Sequence, residues 1–278
     1  MSRTSSPYRW DLVTPDQLGT LLDGQPEPSL GFADELTVAA GKVVARSGGG
    51  ELFFVGRSAD SMFDLLSGAF SGTDHEARLH RLAFSGRFGL TGADRANTRG
   101  ILGDAGLTPQ SLARGHRPVA LVDLVAEGGT FGNLFQVLRD WIADEREAWS
   151  VIRRKLRFVG ITGRRPTSPN TWRWQQAADW PGQLPARNVT GVTIDERTWQ
   201  YFAAQQVKLT RSFTPKMWTA DEPDGPRHDE LTRAALAEAV ALVTHGRRRE
   251  TRSLVARTIA GEPAYAESWS RTLIGQLA

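Results

Sequence analysis

The sequence predicts an α/β fold: a Rossmann-like parallel sheet with helices on both faces, extended by helical segments at the N- and C-terminal ends. Three observations predict it. Short apolar runs alternate with helical patterns between about residues 51 and 162, as parallel strands joined by crossover helices do. The runs are continuously apolar, which suits strands covered on both sides. Two of them end in loops, 56–61 and 123–130, that mix glycine with charged and hydroxyl residues. In such sheets ligands bind at the carboxyl ends of the strands.

The chain has 278 residues, enough for one elaborated domain or a core with an appendage. The expected division is an N-terminal helical segment over 1–45, a core over 46–165, and an irregular and helical C-terminal extension over 166–278. Hydrophobic residues make up 40% and charged residues 23%, the balance of an ordinary globular chain. The absence of cysteine excludes disulfides, a thiol nucleophile and thiolate metal sites. No apolar run reaches the roughly 20 residues of a membrane-spanning helix. The first residues are polar and carry no apolar signal segment. A cytoplasmic protein without membrane contact is expected.

In order along the chain, Thr14-Pro15 starts a first helix carrying Leu18, Leu21 and Leu22. A second helix is expected over 33–46, broken by Ser47-Gly48-Gly49-Gly50. Leu52-Phe53-Phe54-Val55 reads as a buried strand. After the turn at Gly56-Arg57-Ser58, Asp60 or Ser61 caps a helix with Met62, Phe63, Leu65 and Leu66. Residues 78–84 suit a second strand. Residues 85–100, rich in glycine and arginine and without periodicity, predict a long loop. Helical pieces follow near 98–105 and over 108–114, the latter started by Thr108-Pro109. Residues 118–122 form the next strand, ending in Asp123. Gly128-Gly129-Thr130 turns into a long helix with Leu134, Leu138, Trp141 and Ile142 on its buried face. Residues 156–162 are a further strand. Residues 163–190 are irregular, and the rest is mostly helical, with Gly246 stopping a helix rich in alanine.

The chemistry concentrates at 123–130. Val119 begins the run V-A-L-V-D-L-V-A-E-G-G-T: a strand, an acid, and Gly-Gly-Thr at a helix start. Glycines let backbone N–H groups converge there, and the helix dipole adds positive charge, so the arrangement favours an anion. Asp123 and Glu127 repel a bare phosphate and call for another partner, ribose hydroxyls or a magnesium ion.

This stretch resembles the phosphoribosyl-pyrophosphate (PRPP) motif of the type I phosphoribosyltransferases: an apolar strand, usually two acids, two apolar residues, then a small Thr/Gly-rich phosphate loop. The likeness covers about a dozen residues, and the element order over 51–162 agrees with it. It implies an enzyme that transfers ribose 5-phosphate from PRPP to a nitrogenous acceptor, releasing pyrophosphate, with Mg²⁺ as cofactor. Asp123 takes the first acid position, with a metal or ribose role. Glu127 falls where purine-using relatives manage the acceptor's proton. Glu127, Gly128, Gly129, Thr130 and Phe131 fall on the 5′-phosphate loop. Arg57, Ser58, Ala59, Asp60 and Ser61 fall on the pyrophosphate loop. The 85–100 stretch corresponds to the loop that closes over PRPP, with Arg87, Arg95 and Arg99 as pyrophosphate contacts. Arg164 and Arg165 fall at the acceptor side, with Trp172 and Trp174 close behind. One departure stands out: Leu124 replaces the second acid. That departure favours a second reading, a non-catalytic PRPP- or nucleotide-binding module. Each element also has an ordinary structural reading, with Asp123 as a turn cap and Glu127 as a helix-start acid.

Other patterns carry less. Gly56-Arg57-Ser58-Ala59-Asp60 is similar to the G-x-S-x-G nucleophile elbow, with Asp60 where glycine is needed; a triad of Ser58, Asp123 and His228 or His245 would complete it. The five histidines are scattered, and no P-loop or dinucleotide fingerprint occurs. Of the 34 basic residues, 30 are Arg. The first 140 residues carry a net charge of −3 and the remainder +6. The basic stretch 146–173, together with Arg247, Arg248 and Arg249, supports a third reading, a nucleic-acid-binding face. Most of these cations are expected on solvated helix faces and helix ends. A homodimer stays open.

Overall fold

The computed structural model describes residues 7–14, 18–86, 89–164, 173–218 and 225–278. Its centre is a five-stranded, all-parallel sheet of β1 (Glu51–Val55), β2 (Leu79–Leu82), β3 (Val119–Leu124), β4 (Leu156–Gly163) and β5 (Val189–Ile194). The strand order is β2-β1-β3-β4-β5. Register is continuous through the centre: Phe54 pairs with Val122, and Asp123 with Gly160.

Successive strand residues point to opposite faces, so each apolar run supplies two cores. Leu52, Phe54, Ala120, Val122, Val159 and Ile161 face one layer. There the sheet is covered by α1 (Ala33–Ser47), α2 (Asp60–Ala69), α9 (Glu230–Arg247), α10 (Arg249–Ala260) and α11 (Ser268–Leu277). Phe53, Val55, Leu121, Leu156 and Phe158 face the other. That layer holds α3 (Gly92–Asp104), α4 (Pro109–Arg114), α5 (Gly129–Asp144) and α6 (Trp149–Lys155). Two short helices, α7 (Glu196–Gln200) and α8 (Pro215–Trp218), complete the set. Helices on both faces of a parallel sheet are what the apolar strand runs require, and the α/β expectation stands.

Several elements differ from expectation. Residues 18–24 form turns rather than a helix, with Gly19 and Gly24 at positive φ; Pro15 lies outside the described residues. The 85–100 stretch is not one loop, because α3 begins at Gly92. Its start is a capping box in which Thr91 and Asp94 satisfy each other's amides. The helix at Asp60 has Ala59 at its cap position and no side-chain cap, because the Asp60 and Ser61 side chains bond elsewhere. Gly246 does not stop α9 but lies inside it. A Cβ there would collide with the Leu65 carbonyl of α2, and one on Gly68 with the Val243 carbonyl of α9. These two glycines let the backbones of α2 and α9 touch.

The division into segments also changes. α1, which spans the expected boundary at residue 45, packs on β5 and α10 as part of the sheet layer. β5 was not expected. It lies in the presumed extension, is rich in β-branched residues, and pairs along β4 from Val189 to Ile194. Between β4 and β5 the described part of the irregular segment contains three short 3₁₀ turns: Trp174–Gln176, Trp180–Gln183 and Ala186–Asn188.

Candidate functional site

The strand order reverses direction between β1 and β3, and the crevice at their carboxyl ends is the topological switch point where sheets of this order bind ligands. Both loops singled out in the sequence open there. The 56–61 loop turns at Gly56, whose φ of 68° suits glycine. Its amide donates to the Leu82 carbonyl at 2.9 Å.

The side chains of that loop are engaged inward. Asp60 is buried and accepts from Arg81 Nε at 3.1 Å, Arg9 Nη1 at 3.0 Å and Thr210 Oγ1 at 2.7 Å. Arg9 also pairs with Asp64, one turn further along α2. Burial opposes ionisation of Asp60, yet Arg81, Arg9 and the Thr210 hydroxyl together hold its carboxyl below the usual range. Asp64 behaves differently: burial, reinforced by repulsion from Asp60, outweighs Arg9 and pushes it up to about 6. Arg57 donates to the Thr210 carbonyl at 3.2 Å, and the Ser58 carbonyl accepts from Lys208 Nζ at 3.4 Å. Gln206 donates to Ser61 Oγ at 2.6 Å. Behind Asp60 and Ser61 a half-open space of about 10 Å³ lies among Arg9, Gln206, Lys208 and Glu238. Arg57, Asp60 and Ser61 thus have their side chains bonded within the fold, while the donors expected of 58–61 toward pyrophosphate are its backbone N–H groups.

Asp123 stands at the end of β3 on the apolar side of the sheet, 6% exposed. Burial pushes its carboxyl up to about 8, against a backbone hydrogen bond from Leu124 and the weaker field of Lys208. Lys208 is pulled the other way, to about 8, by its own burial, opposed chiefly by Asp60. Near neutral pH Asp123 is thus a neutral acid that donates a hydrogen bond as well as accepting one.

Gly128 caps α5 with φ 85°, and the amides that follow have no partner within the helix. Glu127 and Gly129 are exposed and Thr130 half-buried, so this end of the loop faces solvent. Phe131 does not. Its ring is buried against Phe158 and Trp174, at 5.2 and 5.5 Å, which leaves only its amide toward the loop. Trp174 lies over the glycines of the site: Cβ atoms added to Gly128 and Gly160 would stand 3.0 and 2.8 Å from its ring. Gly160 is the register partner of Asp123, so the indole lies over the strand next to it.

The remaining expected contacts disperse. Arg95 and Arg99 project from α3 to Asp140 and Asp144 of α5, at 3.0 and 2.6 Å, and do not reach the β1 loop. Arg87, Arg165 and Trp172 lie outside the described residues. Arg164 is exposed at the end of β4, its amide bonded to Ile194. No hydrogen bond among the described residues joins Ser58, Asp123, His228 and His245; His228 instead meets Trp10 edge-on at 5.7 Å. The basic 146–173 stretch is partly internal. Lys155 donates to the Leu112, Ala113 and Gly115 carbonyls at the end of α4, and Arg157 to the Arg46 carbonyl.

The donor set does not fit a magnesium ion held by the protein. Asp123 is buried, Leu124 offers no second carboxylate, and Lys208 brings positive charge. No group of three or more candidate ligands occurs among the described residues. Sequence reasoning missed Lys208, Arg9, Arg81 and Thr210, because nothing in their local sequence marks them; chain crossings far apart in sequence bring them to the loop. Comparison with protein-family models, with curated proteins and with solved structures finds no match to this chain.

Proposed function

We propose that this protein binds a ribose 5-phosphate-bearing ligand, of the PRPP and nucleotide class, at the carboxyl edge of β1 and β3. The observation that carries the reading is the strand order, which sets the 56–61 and 123–130 loops side by side at the reversal point. The 5′-phosphate would take the free amides of Gly129, Thr130 and Phe131 and the Thr130 hydroxyl. Glu127, exposed at the mouth of the loop, would meet ribose hydroxyls.

Binding without transfer is favoured by the state of the pyrophosphate side. Arg57, the expected cation, donates to the Thr210 carbonyl, and Leu124 stands where the resemblance implies a second acid. A second reading, phosphoribosyl transfer, is favoured by a different observation. Two buried groups, Asp123 and Lys208, have their affinities shifted to about 8 at the strand ends, and such shifts cluster where chemistry occurs. In that reaction a ring nitrogen attacks ribose C1, the C1–O bond to pyrophosphate breaks, and Glu127 takes the proton from nitrogen.

Calorimetry with PRPP, ribose 5-phosphate and inorganic phosphate tests the proposal. Saturable binding of the first two is expected, weakened about tenfold by Thr130→Ala through loss of a charge-assisted hydrogen bond. Unchanged affinity in the variant, or no binding, would overturn it. Pyrophosphate release with a panel of purine and pyrimidine bases would decide for transfer.

A further inference from the structure

A second cleft lies away from the 123–131 loop. It has a volume of about 580 Å³ and is walled by Pro26, Pro28, Phe32, Tyr201, Ala237 and Glu238. That size falls within the range of small-molecule sites, and an apolar lining with few converging polar groups is their usual composition. Glu238 is the one charged residue among the described residues that line it. It makes no salt bridge with any described residue.

The backbone there is built unusually. After α7 the chain makes a π-helical turn, Tyr201–Gln205, of the kind found most often at functional sites. Phe202 goes into the core, packed edge-on against Phe32 at 4.9 Å, while the half-buried Tyr201 ring stays on the cleft, 5.3 Å from Phe32. The Tyr201 hydroxyl donates to Glu238 Oε2, and Gln206 donates to Oε1. Two neutral donors thus orient the carboxylate without neutralising it. Lys208, which bonds the other end of Gln206, is the cation whose field reaches it.

We infer that this cleft is a second ligand site, for a small organic cation: an ammonium or guanidinium group on a compact apolar or aromatic body. The carboxylate takes the charge. The Phe32 and Tyr201 rings and the two prolines take the body, with ring faces that also attract cations. An anion would be repelled by Glu238, and a purely apolar ligand would leave it unused. The inference does not rest on the sugar-phosphate reading, since no residue of 123–131 lines the cleft, although Glu238 also borders the small space beside Asp60 and Ser61. Gln206 links the two places, bonding Glu238 on one side and Ser61 and Lys208 on the other.

The test is an NMR titration of the isotope-labelled full chain with phenethylammonium, 2-phenylethanol and phenylacetate. The ammonium is expected to shift Tyr201 and Ala237 resonances saturably. It should bind at least about tenfold tighter than the alcohol, the margin of a charge-assisted over a neutral contact. Glu238→Gln, whose amide still accepts from Tyr201, should remove that margin. Ala234→Trp, at an exposed position on the rim, narrows the cleft without entering the core and should block binding. It keeps the test decisive if Glu238→Gln lowers stability. Equal affinity for the alcohol, absence of saturable binding, or full binding by Ala234→Trp would overturn the inference.

Discussion

Asp60 opens the helix that follows β1 and Asp123 stands near the end of the neighbouring β3; both are buried, yet they are opposite in state. Asp60 has two arginines and a threonine hydroxyl around it and is held ionised. Asp123 has Trp174 and the apolar face of the sheet around it, a backbone amide and a distant lysine, and its carboxyl rises to about 8. Burial penalises both charges. What separates them is whether partners repay that penalty. The first acid locks a loop; the second has no ionic partner of its own.

The largest effect is expected from breaking the paired side. Asp60→Asn leaves Arg81 without its carboxylate and Arg9 with only Asp64, and should cost about 3–5 kcal/mol by urea denaturation. A loss under about 1 kcal/mol would mean that water already screens the cluster.

The unpaired side should respond with the opposite sign. Asp123 has a folded-state pKa raised above its unfolded value. Its contribution is fully present below about pH 4 and is lost as pH rises through about 8. Asp64 acts in the same sense only up to about 6. Between pH 6 and 8 the protein should therefore lose about 2 kcal/mol of stability, and Asp123→Asn should flatten that slope. Lys208 is depressed to about 8, so its contribution is present above about 10.5 and lost as pH falls through 8. Stability should pass through a minimum near pH 8, with Lys208→Met removing only the alkaline limb. A monotonic profile in the wild type would break the contrast.

The smallest effect lies outside both sites. Thr91→Ala removes the capping box of α3 and should cost about 1 kcal/mol, with no change in the pH profile.

The core strands and the two loops were legible because their signals are local. An apolar run flanked by glycine can be read without knowing its neighbours, and so can Gly-Gly-Thr before an amphipathic helix. α3 was also legible in principle, since Thr91 and Asp94 form a capping box in sequence; the surrounding glycines and arginines obscured it. β5 is an edge strand of mixed burial, with only its β-branched residues to mark it. The pairing of Arg95 and Arg99 with α5 was not legible, because a guanidinium looks the same whether it faces phosphate or a carboxylate on the next helix.

By itself, the sequence determined the alternation of strands and helices, the two-sided burial of the sheet and the left-handed turns at Gly56 and Gly128. All of these follow from side-chain periodicity and backbone freedom within a few residues. Tertiary structure alone decided which charges meet. Arg9 and Thr210 reach Asp60 across 51 and 150 residues, Tyr201 and Gln206 reach Glu238 from a distant segment, and Trp174 packs over Gly128 and Gly160. Electrostatic character depends on what surrounds a group in space. The same residue type became a locked anion at one strand end and a neutral acid at the next.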